Sequence, residues 1–170
     1  LLFTVTEGAQ TSIGSVTFDG STVFAEGELQ ALITMTPGQP FTEVDVARDR
    51  DRVDLAYRNR GFDSVVIEPA VALVENDSRA EIVFAVSEGE QVLVDRVIVV
   101  GNQRTSIEII ERELLLRPGQ PLGYSARIES QQRLIALGLF RRVVIDELRH
   151  GDEPRRDVLV QVDEVPPTTI

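Results

Sequence analysis

Apolar residues recur along this chain with two periods, the alternation of half-buried strands and the spacing of three to four residues that is typical of helices. In the first half, the segments 11–18, 65–68 and 80–86 predict strands, because they are rich in β-branched residues and end at polar or glycine-containing segments. The loop Glu75–Ser78 lies between the last two strands. These two strands are therefore expected to form an antiparallel hairpin.

A short helix is expected after the first strand. Ser21 or Thr22 is a suitable cap for a helix that continues through about Ile33. Its buried stripe is expected to contain Phe24, Leu29, Leu32 and Ile33.

A second helix is expected to open at Thr42–Asp45, where an acidic residue occupies the capping-box position. Its residues Val46, Val53 and Tyr57 share one face and predict a buried stripe. The charges of residues 48–52 alternate in sign and predict a solvated opposite face. Gly61 is placed to end this helix as a left-handed cap.

The second half begins with the same order of elements. A strand is expected over residues 92–100, and the capping box Thr105–Glu108 predicts a helix to about Leu116. A further helix is expected from about Ser125 to Leu137 and to stop at Gly138. Its apolar residues at helical spacing are Ile128, Ile135 and Leu139.

Two strands end the second half, and they are expected over residues 143–145 and 158–162. The segment His150–Pro154 joins them as a hairpin. Both halves therefore have the order strand, helix, helix, strand, strand.

Two motifs that each occur twice show that the chain contains an internal repeat. The segment Phe3–Gly8 returns as Phe84–Gly89, and the turn Pro37–Pro40 returns as Pro118–Pro121, both at an offset of 81 residues. A fixed period of this kind is typical of an array of similar modules. The sequence predicts the last strand of one domain over residues 1–8, complete domains over 9–89 and 90–166, and the start of a linker over 167–170.

The order of elements also predicts the topology. Two antiparallel helices return the chain so that the first and third strands run in the same direction. We expect an α+β fold in which each domain has a mixed three-stranded sheet, with both helices on one face and the third strand in the centre. The first and second strands are then edges, whose main-chain groups could accept a strand of another chain.

Composition excludes several classes of function. The formal net charge is −11 and the isoelectric point is near 4.6, which disfavours binding to nucleic acid. The chain contains no cysteine, so disulfides, thiolate metal sites and cysteine nucleophiles are excluded. No apolar run approaches the roughly 18 residues that a membrane-spanning helix needs.

Candidate catalytic groups are few, and we expect no catalytic, cofactor-binding or metal-binding residue. His150 is the only histidine, and its place in a hairpin loop predicts a solvated side chain. Glu7, Glu88 and Glu164 occupy the same position in successive repeats, so they are expected to lie far apart rather than to form an acid–base pair. The two Pro-Gly-Gln-Pro segments lack the lysine of a phosphate-binding loop and predict turns.

The second strand of each domain is the better functional candidate. These strands contain Val65, Val66 and Ile67 in the first domain and Val143, Val144 and Ile145 in the second. Both tripeptides lack the proline or lysine that commonly protects an edge from pairing. Their side chains are expected to face the helices in part, and strand addition would use the main chain.

Several motifs together resemble the polypeptide-transport-associated (POTRA) domain. They are the glycine after each first strand, the capped helix, the Pro-Gly-Gln-Pro turn, the helix ends at Tyr57–Phe62 and Leu137–Phe140, and the closing Val-Ser-Glu-Gly. Tandem POTRA domains precede a membrane β-barrel in outer-membrane assembly proteins of the BamA and TamA type, within the surface-antigen barrel superfamily. The paired prolines 166 and 167 resemble the junction between the last such domain and the barrel.

The resemblance implies a non-enzymatic module without a cofactor at the periplasmic face of the outer membrane of a Gram-negative-type bacterium. Expected partners are unfolded outer-membrane proteins, periplasmic accessory subunits and the protein's own membrane barrel, with binding by strand addition. Two alternatives stay open at this point. One is the POTRA pair of a two-partner secretion transporter that captures a secreted polypeptide, and the other is a rigid structural spacer.

Overall fold

The computed structural model describes residues 10–151 and 153–166. The chain divides into two compact units, one of residues Leu1–Leu55 and Val65–Glu88 and the other of residues Ala56–Ser64 and Gly89–Ile170. The elements are, in order, β1 (Ser12–Asp19), α1 (Glu26–Leu32), α2 (Glu43–Asn59), β2 (Val66–Val74), β3 (Arg79–Ser87), β4 (Leu93–Val100), α3 (Ile107–Glu113), α4 (Tyr124–Ala136), β5 (Phe140–Arg149) and β6 (Arg155–Glu164).

The first sheet has the strand order β1-β3-β2, with β1 parallel and β2 antiparallel to the central strand β3. Alternate residues of β3 are buried, and Ile82 and Phe84 are fully enclosed while Val83 between them is exposed. Phe18 of β1 stacks on Phe84 with ring centroids 5.4 Å apart. One face of the sheet therefore carries the core, and the predicted α+β topology is confirmed.

Helix α1 is shorter than the sequence predicts and starts at Glu26, with Ala25 as its first cap, so Ser21 and Thr22 are not caps. The N–H groups of Thr22 and Val23 donate to the carboxylate of Glu88 instead, which holds this segment outside the helix. Of the expected stripe, Leu29 and Phe24 are buried, but Phe24 precedes the helix, and Leu32 and Ile33 are half-buried.

Helix α2 opens as predicted, because the Thr42 hydroxyl accepts from the Asp45 N–H and donates to the Asp45 carboxylate. Val46, Val53 and Tyr57 are buried as expected. Gly61 has a φ of 86°, the left-handed conformation predicted for a helix cap.

The prediction that residues 48–52 form a wholly solvated face is wrong at one position, because Asp49 is completely buried. Its carboxylate accepts hydrogen bonds from the N–H groups of Thr34 (2.8 Å) and Met35 (2.9 Å). A buried carboxylate needs such partners. The alternating charges of residues 48–52 therefore did not indicate that the Asp49 carboxylate is a buried hydrogen-bond acceptor.

The second sheet repeats the first, with the order β4-β6-β5, β4 parallel and β5 antiparallel to β6. Its core contains Val158, Val160 and Val162 of the central strand and Ile110 of α3.

Helix α3 begins one residue later than a capping box at Thr105 predicts, and it ends before the predicted end near Leu116. Ser106 is the N-cap residue and makes no side-chain cap hydrogen bond. The N–H of Thr105, the predicted cap, donates to Glu164. The helix ends at Glu113 and is followed by Leu114 in extended backbone. Leu114 and Leu116 are both buried in the core.

Helix α4 matches its predicted range, and Gly138 has a φ of 69° as expected of a stop. The apolar residues at helical spacing do not form its buried face, since Ile128, Ile135 and Leu139 are 36%, 50% and 42% exposed. Leu134 and Ser130 are the buried residues of this helix. Helical spacing identifies residues that share a face without showing which face meets the core.

The predicted strand at residues 1–8, Glu7 within it, and the segment 167–170 lie outside the described residues. Across the ranges 10–151 and 153–166, no helix has the length and apolar character needed to cross a membrane.

Candidate functional site

The outer edges of β1 and β4 are partly occupied by their own domains. Ile13 donates its N–H to the Gln39 carbonyl (2.7 Å) and accepts from the Gly38 N–H (2.8 Å). Val94 makes the same pair of bonds with Gln120 and Gly119. The Pro-Gly-Gln-Pro segments thus act as short extra strands, and the expectation that the first strands offer open edges is wrong over these residues.

A side chain covers the next group on the same edge of the first sheet. The Gln30 amide of α1 donates to the Val16 carbonyl of β1 at 2.7 Å. The second strands β2 and β5 are therefore the main candidates for pairing with another chain.

Pro69 shows which main-chain groups of β2 face outward. It lies opposite Phe84 in an unbroken register that runs from Val66 to Val74. Proline has no N–H to donate, so a proline within an edge strand belongs where the N–H would face solvent. Main-chain direction alternates along an antiparallel strand. Ile67, Val71 and Leu73 therefore present their N–H and C=O groups to the free edge.

A separate contact shows which main-chain groups of β5 face outward. The Gln131 side-chain amide of α4 donates to the Val143 carbonyl at 2.8 Å, so that carbonyl faces away from β6. By the same alternation, Ile145 and Glu147 present their main-chain groups to the free edge. Val143 pairs with Val162 as Ile67 pairs with Val86, so the outward positions of the two domains correspond.

The six residues predicted from the sequence are split between the two faces of the sheets. Ile67, Val143 and Ile145 are buried on the helix-covered face, and Val65 is buried just before β2 begins. Val66 is 51% exposed and Val144 is half-buried. Any ligand strand would therefore meet the buried members through main-chain groups, and this assignment stays a prediction.

The helix-covered side of the two free edges differs in chemistry. Along β2, Val71 and Leu73 are 41% and 49% exposed. The corresponding part of β5 has Glu147, whose carboxylate accepts from Arg127 of α4 at 2.7 Å. The β2 edge is apolar and open, whereas the β5 edge is bridged to its helix by ion pairs and hydrogen bonds.

The repeated glutamates prove to be structural. Glu88 accepts the N–H groups of Thr22 and Val23, and Glu164 accepts those of Arg104 and Thr105. The Thr105 N–H, aided by Arg104 and opposed by burial, lowers the pKa of Glu164 to about 2. Each carboxylate binds the loop that follows the first strand of its own domain, a role that its repeat position alone did not reveal.

His150 is not simply solvated, because its Nε2 lies 2.8 Å from the Asp157 carboxylate on β6. Asp157 is 1% exposed, and Arg96 binds the same carboxylate with two hydrogen bonds. Burial raises the pKa of Asp157, but the bonds from His150 and Arg96 outweigh it and lower that pKa. In the part of the chain that the structure describes, no group of three or more His, Cys, Asp or Glu residues could hold a metal ion.

Comparison with known families and structures matches this architecture. The family model "POTRA: Surface antigen variable number repeat" matches residues 11–89 and 92–165. A putative outer membrane protein assembly factor of Treponema pallidum is 29% identical over 164 residues, 96% of this chain and 20% of the relative. The outer membrane protein assembly factor BamA of Neisseria meningitidis is 25% identical, over 89% of this chain and 19% of the relative. The chain thus spans about a fifth of these curated relatives.

Two solved structures share the fold. BamA from Haemophilus ducreyi lacking POTRA domains 1–3 aligns with a TM-score of 0.74 at 21% identity, over 92% of this chain and 29% of that one. POTRA3–5 of Haemophilus influenzae BamA aligns with a TM-score of 0.65 at 20% identity, over 93% of this chain and 63% of that one.

Proposed function

Because this chain belongs to the surface antigen variable number repeat family as two tandem POTRA domains, similar to those of BamA-type assembly factors, we propose that it is a periplasmic docking module of such a factor. It binds unfolded outer-membrane proteins or accessory subunits in a chaperone-like way, and it does so by adding their strands to its sheets. Its role is binding rather than catalysis.

The observation that carries this proposal is the pair of free sheet edges. β2 and β5 are nine and ten residues long, and neither is paired on its outer side with another strand of the described residues. Free edges of this length are normally protected, because they pair readily with other chains. Strand addition uses main-chain groups for affinity, which suits a module that meets many different unfolded sequences.

Peptide binding followed by NMR tests this proposal. The ligand is a peptide of about ten residues, the length of a membrane barrel strand, with alternating apolar and polar residues. Strand addition predicts shifts of the outward amides of β2 or β5. Shifts confined to the helix surfaces would contradict it.

Two modified peptides provide the matched control. One has N-methyl groups on its odd residues and the other on its even residues, so each loses the donors of one edge only. Strand addition predicts that one modified peptide loses binding and that the other keeps it. Equal binding of both would show that main-chain pairing does not hold the ligand.

A further inference from the structure

The two free edges are unequal, and we propose that β2 is the capture edge while β5 is closed to ligands. The ligand of β2 is an extended segment with apolar residues at alternate positions and basic residues between them. This inference rests on the proposed function of strand addition, and it names the edge and the chemistry of the segment.

The preference for apolar residues in the ligand comes from the helix-covered face of β2. Val71 and Leu73 lie opposite Ile82 and Ala80 of β3, which are fully buried. Val71 and Leu73 nevertheless remain 41% and 49% exposed at the edge. A strand added beside them would place every second side chain on this face. Apolar residues there would remove Val71 and Leu73 from water.

The preference for basic residues in the ligand comes from the other face of β2. Glu68 is exposed on β2, and Glu81 is exposed on the neighbouring strand β3. β2 itself contains no arginine or histidine. Residues directly opposite each other on neighbouring strands favour opposite charges. The residues of an added strand that face Glu68 should therefore be lysine or arginine.

The net charge of the whole first domain also favours a basic ligand. Residues 11–89 contain fourteen acidic residues and six arginines, a formal net charge of −8. Residues 92–165 contain twelve acidic residues and eleven arginines, a net charge of −1. A basic segment is therefore attracted to the first domain more than to the second.

The β5 edge lacks the apolar site on its helix-covered side, although Asp146 is exposed on the other face. Gln131 already occupies the outward carbonyl of Val143. Glu147 is held by Arg127 at 2.7 Å and by Arg156 at 2.6 Å, so the apolar site of Val71 is replaced by an ion-paired carboxylate. β5 contains three arginines and two acidic residues, a net charge of +1, whereas β2 has a net charge of −1, so β5 attracts a basic segment less than β2 does. A ligand strand would have to displace the Gln131 amide before it could pair with the Val143 carbonyl.

The test uses two peptides of about ten residues, one alternating leucine with lysine and the other alternating leucine with glutamate. NMR amide shifts locate each peptide on the folded chain, and titration gives its Kd. We expect the lysine peptide to shift the outward amides of Ile67, Val71 and Leu73 and to leave β5 unchanged. Its Kd should be about tenfold or more below that of the glutamate peptide, because like charges then face Glu68.

Two variants examine the residues that carry the inference. Leu73→Thr keeps a strand-forming residue but removes the apolar contact, so it should weaken the lysine peptide roughly fivefold. Glu68→Gln should remove most of the preference for lysine over glutamate. Gln131→Ala in the second domain is the matched control, and the affinity of β2 for the lysine peptide should not change.

The outcomes separate this inference from the proposed function. Shifts on β5, or equal shifts on both edges, would overturn the inference and leave strand addition in place. Equal affinities for the two peptides would overturn the proposed preference of β2 for basic residues in the ligand. If neither peptide shifts the amides of either edge, strand addition and the inference fail together.

Discussion

At the scale of single residues, two buried polar groups do the same work in the two domains although they differ in type. Asp49 accepts the N–H of Thr34, and Ser130, 81 residues later, accepts the N–H of Leu115 at 2.8 Å. Both fix the backbone that leads from the first helix to the Pro-Gly-Gln-Pro turn. The sequence did not reveal this role, because aspartate in a charged run and serine in a helix are both common at the surface.

Removing Asp49 should strongly destabilise the first domain. In Asp49→Ala, the buried N–H groups of Thr34 and Met35 lose their acceptor, and each such loss costs about 1–3 kcal/mol. We expect a loss of about 3 kcal/mol in the free energy of unfolding, measured by urea denaturation. Asp51→Ala is the control on the same helix, since Asp51 is exposed and its loss should change stability by less than about 0.5 kcal/mol. Equal effects of the two substitutions would contradict the role given to Asp49.

Glu164 should make the stability of the second domain depend on acidic pH. Its pKa in the folded protein is lowered from 4.5 to about 2, so its stabilising bonds are complete above pH 4.5 and are lost as the pH falls toward 2. The stability difference between the parent and Glu164→Gln should therefore be constant at neutral pH and decline through this window. Urea denaturation at successive pH values measures it.

Arg104→Ala is the matched control for Glu164, because it keeps the N–H groups of residues 104 and 105 that lower this pKa. Most of the pH dependence should persist in Arg104→Ala. A stability difference for Glu164→Gln that stays the same down to pH 2 would show that the carboxylate does not stabilise the fold.

At the scale of elements, the presence and topology of the strands could be predicted from the sequence, while the full lengths of β2 and β5 and the boundaries of α1 and α3 could not. The strands have strong alternation and β-branched residues, and the central strand was identified from connection rules alone. The segments before α1 and α3 donate N–H groups to the distant carboxylates of Glu88 and Glu164, and local sequence does not contain these contacts. Propensity gives way to such contacts at short helices.

The edge strands were found, but their alignment was not. The sequence Val-Val-Ile at 65–67 and at 143–145 invites direct superposition. The pairing instead makes Ile67 equivalent to Val143, because these residues face Val86 and Val162 of the central strands. Main-chain direction at a given residue therefore required the structure.

Proline substitutions should report this direction. The N–H of Val71 faces the free edge, because Val71 lies two residues after Pro69, so Val71→Pro should cost little stability. Ala70→Pro removes an N–H that faces β3 and should cost about 3 kcal/mol or more. By the same alternation, the main-chain N–H groups of Val66 and Val144 face the central strand. A proline at either position would disturb the sheet, so it could not test ligand binding alone. Thermal or urea unfolding of the two variants measures the difference. A larger loss for Val71→Pro than for Ala70→Pro would reverse the assignment.

At the scale of the whole molecule, the two domains share one topology but differ in the chemistry of their surfaces. Residues 11–89 carry a net charge of −8 and residues 92–165 a net charge of −1. The open apolar edge belongs to the acidic domain, and the ion-paired edge belongs to the nearly neutral one. Repetition of a fold therefore does not imply repetition of a binding site, because function depends on the site that each copy carries.

Salt should separate the charge of the acidic domain from the local contact at Glu68. Charges further apart than a Debye length, about 10 Å at 0.1 M and 3 Å at 1 M ionic strength, are largely screened. At low salt, Glu68→Gln and Asp51→Asn, at an exposed residue of helix α2, should both weaken binding of the leucine–lysine peptide, since both reduce the negative charge of this domain. At about 1 M salt, Asp51→Asn should bind like the parent, while Glu68→Gln should still bind more weakly. Isothermal titration at successive salt concentrations measures both. If the two variants lose the same affinity at every salt concentration, net charge alone selects the ligand and Glu68 does not face it.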